Sequence, residues 1–234
     1  MQFDSTIMTV ALLTGLGPSA AADILTTFDN RVDWLAATSE PVVTEGFEGR
    51  DALGPLDAPS IFATGLGVAA TGPAALDSAV ESGDPLSVGL QNTTIGGSQY
   101  VRFGGLQSSP DGNFDYTIQF LLPQGTSAFG FDISDWEPGL IQTGPQGADV
   151  TLLNDGGLVI GFSLPSIQAD TGLLTFVGFT SDTFIFDEVR FTVNETFGPD
   201  VTGVDEVSWV VPSPGAAGLL ALSSACVARR RRTH

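Results

Sequence analysis

Thr126-Ser127-Ala128-Phe129-Gly130-Phe131-Asp132-Ile133 decides the fold. Phe129, Phe131 and Ile133 alternate with Ala128, Gly130 and Asp132, a period of two that turns one face of an extended strand to a core. The other face is expected to be open or covered by something small. Working outward, segments of the same character lie at 42–47, 98–103, 114–122, 148–153, 158–163, 173–179, 184–193 and 204–210, rich in Val, Ile, Phe and Thr. Turn-forming Gly, Pro, Asn, Asp and Ser separate them. The pattern predicts an all-β chain: a two-layer antiparallel jelly-roll β-sandwich over residues 23–210, with Phe47, Phe129, Phe131, Phe179, Phe191 and Trp209 inside it.

One short N-terminal helix is expected where Asp29 or Asn30 caps a turn through Arg31, Val32, Trp34 and Leu35. Phe28, Val32 and Leu35 recur at helical spacing, so it should lie across an open end of the sandwich. Residues 54–84, rich in Ala, Gly, Pro and Asp, read as long loops with two short strands around Ile61 and Val68.

Composition excludes several functions. The 234 residues hold 27 acidic side chains and eight arginines, with no lysine, for a net charge of −19. Between Asp23 and Pro212 the balance is 26 acidic residues against Arg31, Arg50, Arg102 and Arg190, a net −22. Such a surface repels phosphate backbones, so nucleic acid is not a partner, while divalent cations are. The single cysteine is Cys226 and the single histidine is His234. Disulfides, Ser-His-Asp or Cys-His nucleophilic sites and His- or Cys-ligated zinc are thereby ruled out for the body. Any metal must be held by oxygen, calcium first.

The acidic groups offer no convincing catalytic pair. A retaining glycosidase needs two carboxyl groups about 5–5.5 Å apart, which strand residues at i and i+2 supply. Asp132 and Asp135 have the wrong spacing, and Asp135, Trp136 and Glu137 run into Pro138, which favours a solvated turn. Arg102 and Arg190 lie in predicted strands amid acidic neighbours and are expected to pair with carboxylates. Gly96-Gly97, Gly104-Gly105 and Gly156-Gly157 read as turn chemistry, since no lysine follows them.

The two ends carry signals of their own. Ile7 to Leu16 is apolar and precedes Gly17-Pro18-Ser19 and Ala20-Ala21-Ala22, a signal peptide at 1–22 with cleavage after Ala22, although the n-region holds Asp4 and no basic residue. At the other end stand Val211-Pro212-Ser213-Pro214, an apolar run from Gly215 to Ala228 and Arg229-Arg230-Arg231-Arg232. A helix over that run reaches about 21 Å, against about 30 Å of hydrocarbon, so it spans only with a thinned bilayer or snorkelling flanks. The arginines belong on the cytoplasmic side, which places the body outside.

This tail, 211–234, resembles the PEP-CTERM sorting signal, with Ser213 where the family usually has Glu. The resemblance implies handling by an exosortase-type membrane enzyme that cuts near the motif. It also implies a secreted or cell-surface body, attached to the membrane only through the unprocessed C-terminal helix. Phe28-Asp29-Asn30-Arg31-Val32-Asp33-Trp34-Leu35, Glu45-Gly46-Phe47-Glu48-Gly49, Ala128-Phe129-Gly130-Phe131-Asp132, Val177-Gly178-Phe179-Thr180-Ser181-Asp182 and Val204-Asp205-Glu206-Val207 resemble exported jelly-roll domains that precede such tails. The early Phe47-Glu48 and the late Val204-Asp205-Glu206-Val207 also resemble the paired ends of MAM-type jelly rolls, whose carboxylates hold a structural cation. A calcium ion at Glu48 and Asp205, with Glu206 as a further ligand, is the resulting expectation. With few cationic side chains to neutralise them, carboxylates brought together by folding repel unless protonated or bridged.

The function expected from these readings is that of an exported, non-catalytic surface or extracellular-matrix protein associated with extracellular polysaccharide. A carbohydrate-binding module is the alternative, with Trp136, Trp209 or Tyr100 exposed on one concave face, and a glycan-cleaving enzyme ranks third.

Overall fold

The computed structural model describes residues 9–11, 24–48, 56, 59–72, 79–82, 99–104, 116–134, 148–164, 174–193 and 201–211. The elements in order are β1 (Thr9–Ala11), β2 (Ile24–Phe28), α1 (Arg31–Ala37), β3 (Val42–Glu45), β4 (Ser60–Ile61), β5 (Gly67–Thr71), β6 (Ala79–Ser82) and β7 (Gln99–Gly104). They continue with β8 (Tyr116–Thr126), β9 (Ala128–Ser134), β10 (Ala148–Asn154), β11 (Gly157–Leu164), β12 (Leu174–Ser181), β13 (Phe186–Val193) and β14 (Val201–Val210). Each of the nine segments expected from alternation is a strand, as are the two short ones around Ile61 and Val68; β1, β2 and β6 were not foreseen. Asp135, Trp136, Glu137, Arg50 and the whole sorting motif from Pro212 to Arg232 lie outside the described residues, as does the expected signal peptide apart from Thr9–Ala11.

The strands form two antiparallel sheets. The larger runs β1-β2-β12-β9-β14-β7-β6, with β3 also on β14; the smaller runs β11-β10-β13-β8-β5-β4. From β7 to β14 the chain visits large, small, large, small, small, large, small and large sheet in turn. The β10–β11 hairpin turns on Asp155 and Gly156, whose φ values of 50° and 73° are those of a two-residue turn matched to strand twist. The step from β8 to β9 takes one residue, Ser127. Thr126 belongs to β8, and its buried Oγ1 donates to Val210 O at 2.7 Å, pinning the corner where the chain changes sheet.

Between the sheets lies the expected aromatic core. Phe47, Phe129, Phe131, Phe179, Phe191 and Trp209 are all buried. Phe120 of the small sheet sits 5.2 Å from Phe129 and 5.6 Å from Phe131 of the large one, and Phe131 meets Phe191 edge-on at 5.5 Å. Phe179 reaches Phe186 at 5.7 Å, so rings from both sheets interdigitate along the length of the sandwich.

The helix is where the sequence places it but not how. Asn30 caps it, accepting from Val32 N at 2.8 Å and Asp33 N at 3.3 Å. Its buried residue is Trp34, whereas Val32 is 71% and Leu35 42% exposed. Rather than closing an open end, α1 lies on the outer face of the large sheet: Trp34 Nε1 donates to Phe179 O at 3.3 Å and its ring tilts against Phe176 at 5.7 Å. Trp34, Ala128, Phe176 and Val210, flanked by Phe28 and Val42, make a second, smaller core on that face. Its floor is a glycine pair, Gly130 and Gly178, directly opposite each other across β9 and β12. A Cβ at Gly130 would come within 2.5 Å of Phe176 Cζ; one at Gly178 would meet Phe176 Cε1 at 2.5 Å and Trp34 Cδ1 at 2.9 Å. The small residues of the fold-deciding stretch therefore make room for an aromatic ring and a helix, a larger cover than the alternation implied.

Overpacking of this kind costs about 1–3 kcal/mol. Gly178→Ala and Gly130→Ala are each expected to lower stability by that amount in denaturant unfolding. Adding Phe176→Leu to either should recover part of the loss, because the obstruction is that ring.

Candidate functional site

Polar groups gather on the outer face of the large sheet where β14 departs from regular pairing. Asp205 stands opposite Asp132 of β9, but Ser208 stands opposite Gly130, so three steps on β14 match two on β9. The extra residue is Glu206, with φ of 50°. The bulge turns the Glu206 carbonyl out of the ladder, while the Asp205 carboxylate accepts the Glu206 N–H at 2.8 Å.

Arg31, the first residue of α1, fills the opening. Its Nη2 bonds the Asp132 carboxylate and donates to Glu206 O at 2.8 Å, and its Nη1 donates to Ser208 Oγ at 2.8 Å. The guanidinium carbon lies 4.8 Å from the centre of the Phe176 ring, a cation–π stack. Ser208 Oγ also shares a hydrogen bond of 2.9 Å with Thr44 Oγ1 of β3. One cation thus joins α1, β9, β12 and β14, with β3 held through Ser208. Burial pushes the Asp132 carboxyl above its ordinary range; the charge and hydrogen bond of Arg31 pull the other way, and the Glu206 carboxylate adds to the upward push.

Next to this cluster, Glu45 at the end of β3 is buried and holds the turn that follows. Its Oε1 accepts Phe47 N at 2.9 Å and its Oε2 accepts Thr64 Oγ1 at 2.6 Å. Phe47, at φ 58°, is thereby turned into the core against Phe62, with ring centres 4.9 Å apart.

The expected cation ligands occupy distinct settings. Antiparallel pairing of β3 with β14 is present, with Glu45 opposite Val207 and Val42 opposite Val210. Asp205 is buried, Glu206 half-buried with its carboxylate beside Gly46, and Glu48 exposed, its Oε1 accepting Gln99 N at 2.8 Å. Among the described residues no group of three or more His, Cys, Asp or Glu side chains is arranged to hold a metal ion. Arg190 pairs with Glu188 two residues away, at 2.5 Å. Asp132, the member of the acidic group expected on a regular strand, lies on β9, buried and ion-paired with Arg31. Trp209 and Tyr100 are buried and offer no exposed platform for a sugar. Sequence reasoning missed Arg31, Glu45, Phe176 and Ser208. The available signal was Arg31 itself, one of four arginines in an acidic body, placed directly after a helix cap.

No protein-family model matches the chain, and no curated protein matches its sequence. Solved structures similar to it include the K2 cleaved adhesin domain of Lys-gingipain, at 13% identity and TM-score 0.44 over 73% of this chain and 98% of that one. The K1 domain of Lys-gingipain from Porphyromonas gingivalis has 12% identity and TM-score 0.41 over 74% and 99%. A family 11 carbohydrate-binding module of a cellulosomal cellulase of Clostridium thermocellum has 11% and 0.37 over 75% and 97%.

Arg31→Ala should destabilise the protein by about 3 kcal/mol at neutral pH, near the low end for breaking a buried pair, because the Arg31 side chain keeps 23% of its surface in solvent. Without its cation, Asp132 titrates higher still in the folded state. A folded pKa above the unfolded one means stability present at low pH and lost as pH rises through the folded value. The gap between wild type and Arg31→Ala should therefore widen from pH 4 to pH 7 in urea melts, and in an Asp132→Asn background that widening should vanish.

Proposed function

We propose that the chain is an exported, non-catalytic surface or extracellular-matrix protein built on a jelly roll and sorted by an exosortase-type system. The jelly-roll reading is supported by the path of the last eight strands. β7, β14, β9 and β12 lie side by side in one sheet and β8, β13, β10 and β11 in the other, with the chain crossing between them as two Greek keys require.

The observation that carries the non-catalytic reading is the use made of the buried carboxylates. Asp132 holds Arg31, Asp205 caps the bulge and Glu45 ties the turn at Phe47, so each secures the fold. The processing reading draws support from both ends of the described fold. Asp23 is followed at once by β2, and Val211 N, bonded to Pro41 O at 2.9 Å, is the last tether before Pro212-Ser213-Pro214. A cut after Ala22 takes away the three residues of β1 from the side of β2, and a cut near the Pro-Ser-Pro motif lies beyond β14, so the pairings from β2 to β14 are kept. Intact-mass measurement of the secreted protein should give a chain starting near Asp23 and ending near Pro212 to Pro214. Full-length chain retaining Arg229 to Arg232 in the cytosol would overturn the export reading. Retention on exopolysaccharide in a pull-down would favour the carbohydrate-binding alternative, with Tyr100 and Trp209 excluded as its contacts by their burial.

Calcium at Glu48, Asp205 and Glu206 belongs to the same proposal. Pairing of β3 with β14 supports it by running the chain past Glu45 alongside Val207 and the bulge. Two or three carboxylates fall short of the six to eight oxygens calcium takes, so backbone carbonyls and water would complete the shell. Thermal melts should shift upward with calcium and back with chelator, and Glu48→Gln or Asp205→Asn should abolish the shift. An unchanged melting temperature in the wild type removes the site.

A further inference from the structure

We infer that β1 seated on β2 is an autoinhibitory contact, through which the folded body holds its own signal peptide and resists the cut after Ala22. The inference rests on the signal-peptide reading proposed above and adds an order of events to it: cleavage first, closure of β2 on β12 second. β1, Thr9–Ala11, lies inside the apolar stretch Ile7 to Leu16 on which that reading stands. It pairs antiparallel with β2, Thr9 opposite Thr26, Val10 opposite Leu25 and Ala11 opposite Ile24. Residues paired as a strand of this sheet are not at the same time available as the apolar insert that export requires.

The bond expected to be cut, between Ala22 and Asp23, lies one residue before β2 begins at Ile24. A peptidase that takes its substrate as an extended strand needs the main-chain hydrogen-bonding groups of that strand. In the folded chain those of β2 are engaged from two sides. β12 pairs with Leu25 to Phe28 and β1 with Ile24 to Thr26. Leu25 is fully buried in the core between the sheets, and Phe28 packs against the cluster under α1. Cleavage therefore precedes docking of β2 or waits for β2 to come off. The topology supplies the interval. Gly178 of β12, which faces Phe28, is made 150 residues later, whereas β1 and β2 are joined by residues 12–23 alone. A hairpin of two short strands is not stable by itself, so β1 leaves β2 freely until β12 arrives and closes the sheet.

The test uses the full-length chain with signal peptidase in detergent, added either during cell-free synthesis or after folding. The wild type should be cut after Ala22 during synthesis and resist the enzyme once folded. Leu25→Ala, which truncates a buried side chain and loosens β2, should be cut late at least about tenfold faster than the wild type. Ile118→Ala, a buried truncation in β8 of the other sheet, should stay as resistant as the wild type. Adding Thr9→Cys, Thr26→Cys and Cys226→Ser to Leu25→Ala tests the contact itself. A disulfide should form across the pair, with the oxidised chain resistant and the reduced chain cut. Late cutting of the wild type as fast as during synthesis, equal late rates for the wild type, Leu25→Ala and Ile118→Ala, absence of the disulfide, or an oxidised chain cut as fast as the reduced one each overturns the inference alone. No cut in any chain, even during synthesis, overturns the signal-peptide reading and the inference with it.

Discussion

The Arg31 guanidinium seated on Phe176 and bonded to Asp132 is the constraint on which the outer half of the molecule depends. A carboxylate buried on a sheet surface has to be hydrogen-bonded and matched by a cation, or neutralised. Asp132 has both, and its position above the ordinary carboxyl range records that desolvation still outweighs them. The cation brings with it the conditions for its own placement. The Asn30 cap starts α1 at Arg31, the bulge at Glu206 presents a carbonyl, and Ser208 presents a hydroxyl. Arg31 Nε is buried without an acceptor among the described residues, a cost set against the ring stack and the bonds through Nη1 and Nη2.

The same cation explains the run of small residues across the sheet. Thr44, Ser208, Gly130 and Gly178 stand in one row from β3 through β14 and β9 to β12. A side chain at either glycine would push Phe176 off the sheet, and Arg31 would lose its platform. On the other face of the same strands stand Phe129, Phe131, Val177, Phe179 and Trp209, all turned to the second sheet. Alternation therefore separates two kinds of packing: interlocking rings inside, and one ring laid flat on glycine outside. Among the described residues the buried carboxylates are Glu45, Asp132 and Asp205, and each is tied to a specific donor.

How much of this was legible follows from what is local. Period two found the strands and the inward Phe residues because a strand records its faces in its own sequence. The helix cap was legible for the same reason. Its buried face was not, since Val32 and Leu35 are as apolar as a core position demands, and only the sheet beneath decides that Trp34 goes inward. Alternation puts Asp132 on a strand face but cannot show its burial or its partner, because Arg31 lies 101 residues earlier. β2 escaped notice behind the signal-like alanines, and β6 within a stretch whose Gly and Pro content argued for loop. Glu45 was invisible as a clamp, because its acceptors' partners, Phe47 N and Thr64, are set by a turn rather than by strand periodicity.

The bulge on β14 does more than aim a carbonyl. β14 is ten residues long and has β9 along one side, but two strands share its other side: β7 pairs with Val201 to Val204 and β3 with Val207 to Val210. The interval between them is Asp205-Glu206, where the ladder to β9 slips by one residue. A regular strand would keep one twist and one phase throughout, so two collinear neighbours would have to meet end to end in perfect register. Inserting one residue relaxes that demand and lets each half of β14 keep its own partner. Holding Glu206 in the left-handed region costs about 1–2 kcal/mol relative to a glycine. Glycine would remove that cost but leave the opening between β7 and β3 without the carboxylate that now stands beside Gly46. The strain is thus confined to the one place where the sheet changes neighbours, and Arg31, by bonding the displaced carbonyl, fixes it there.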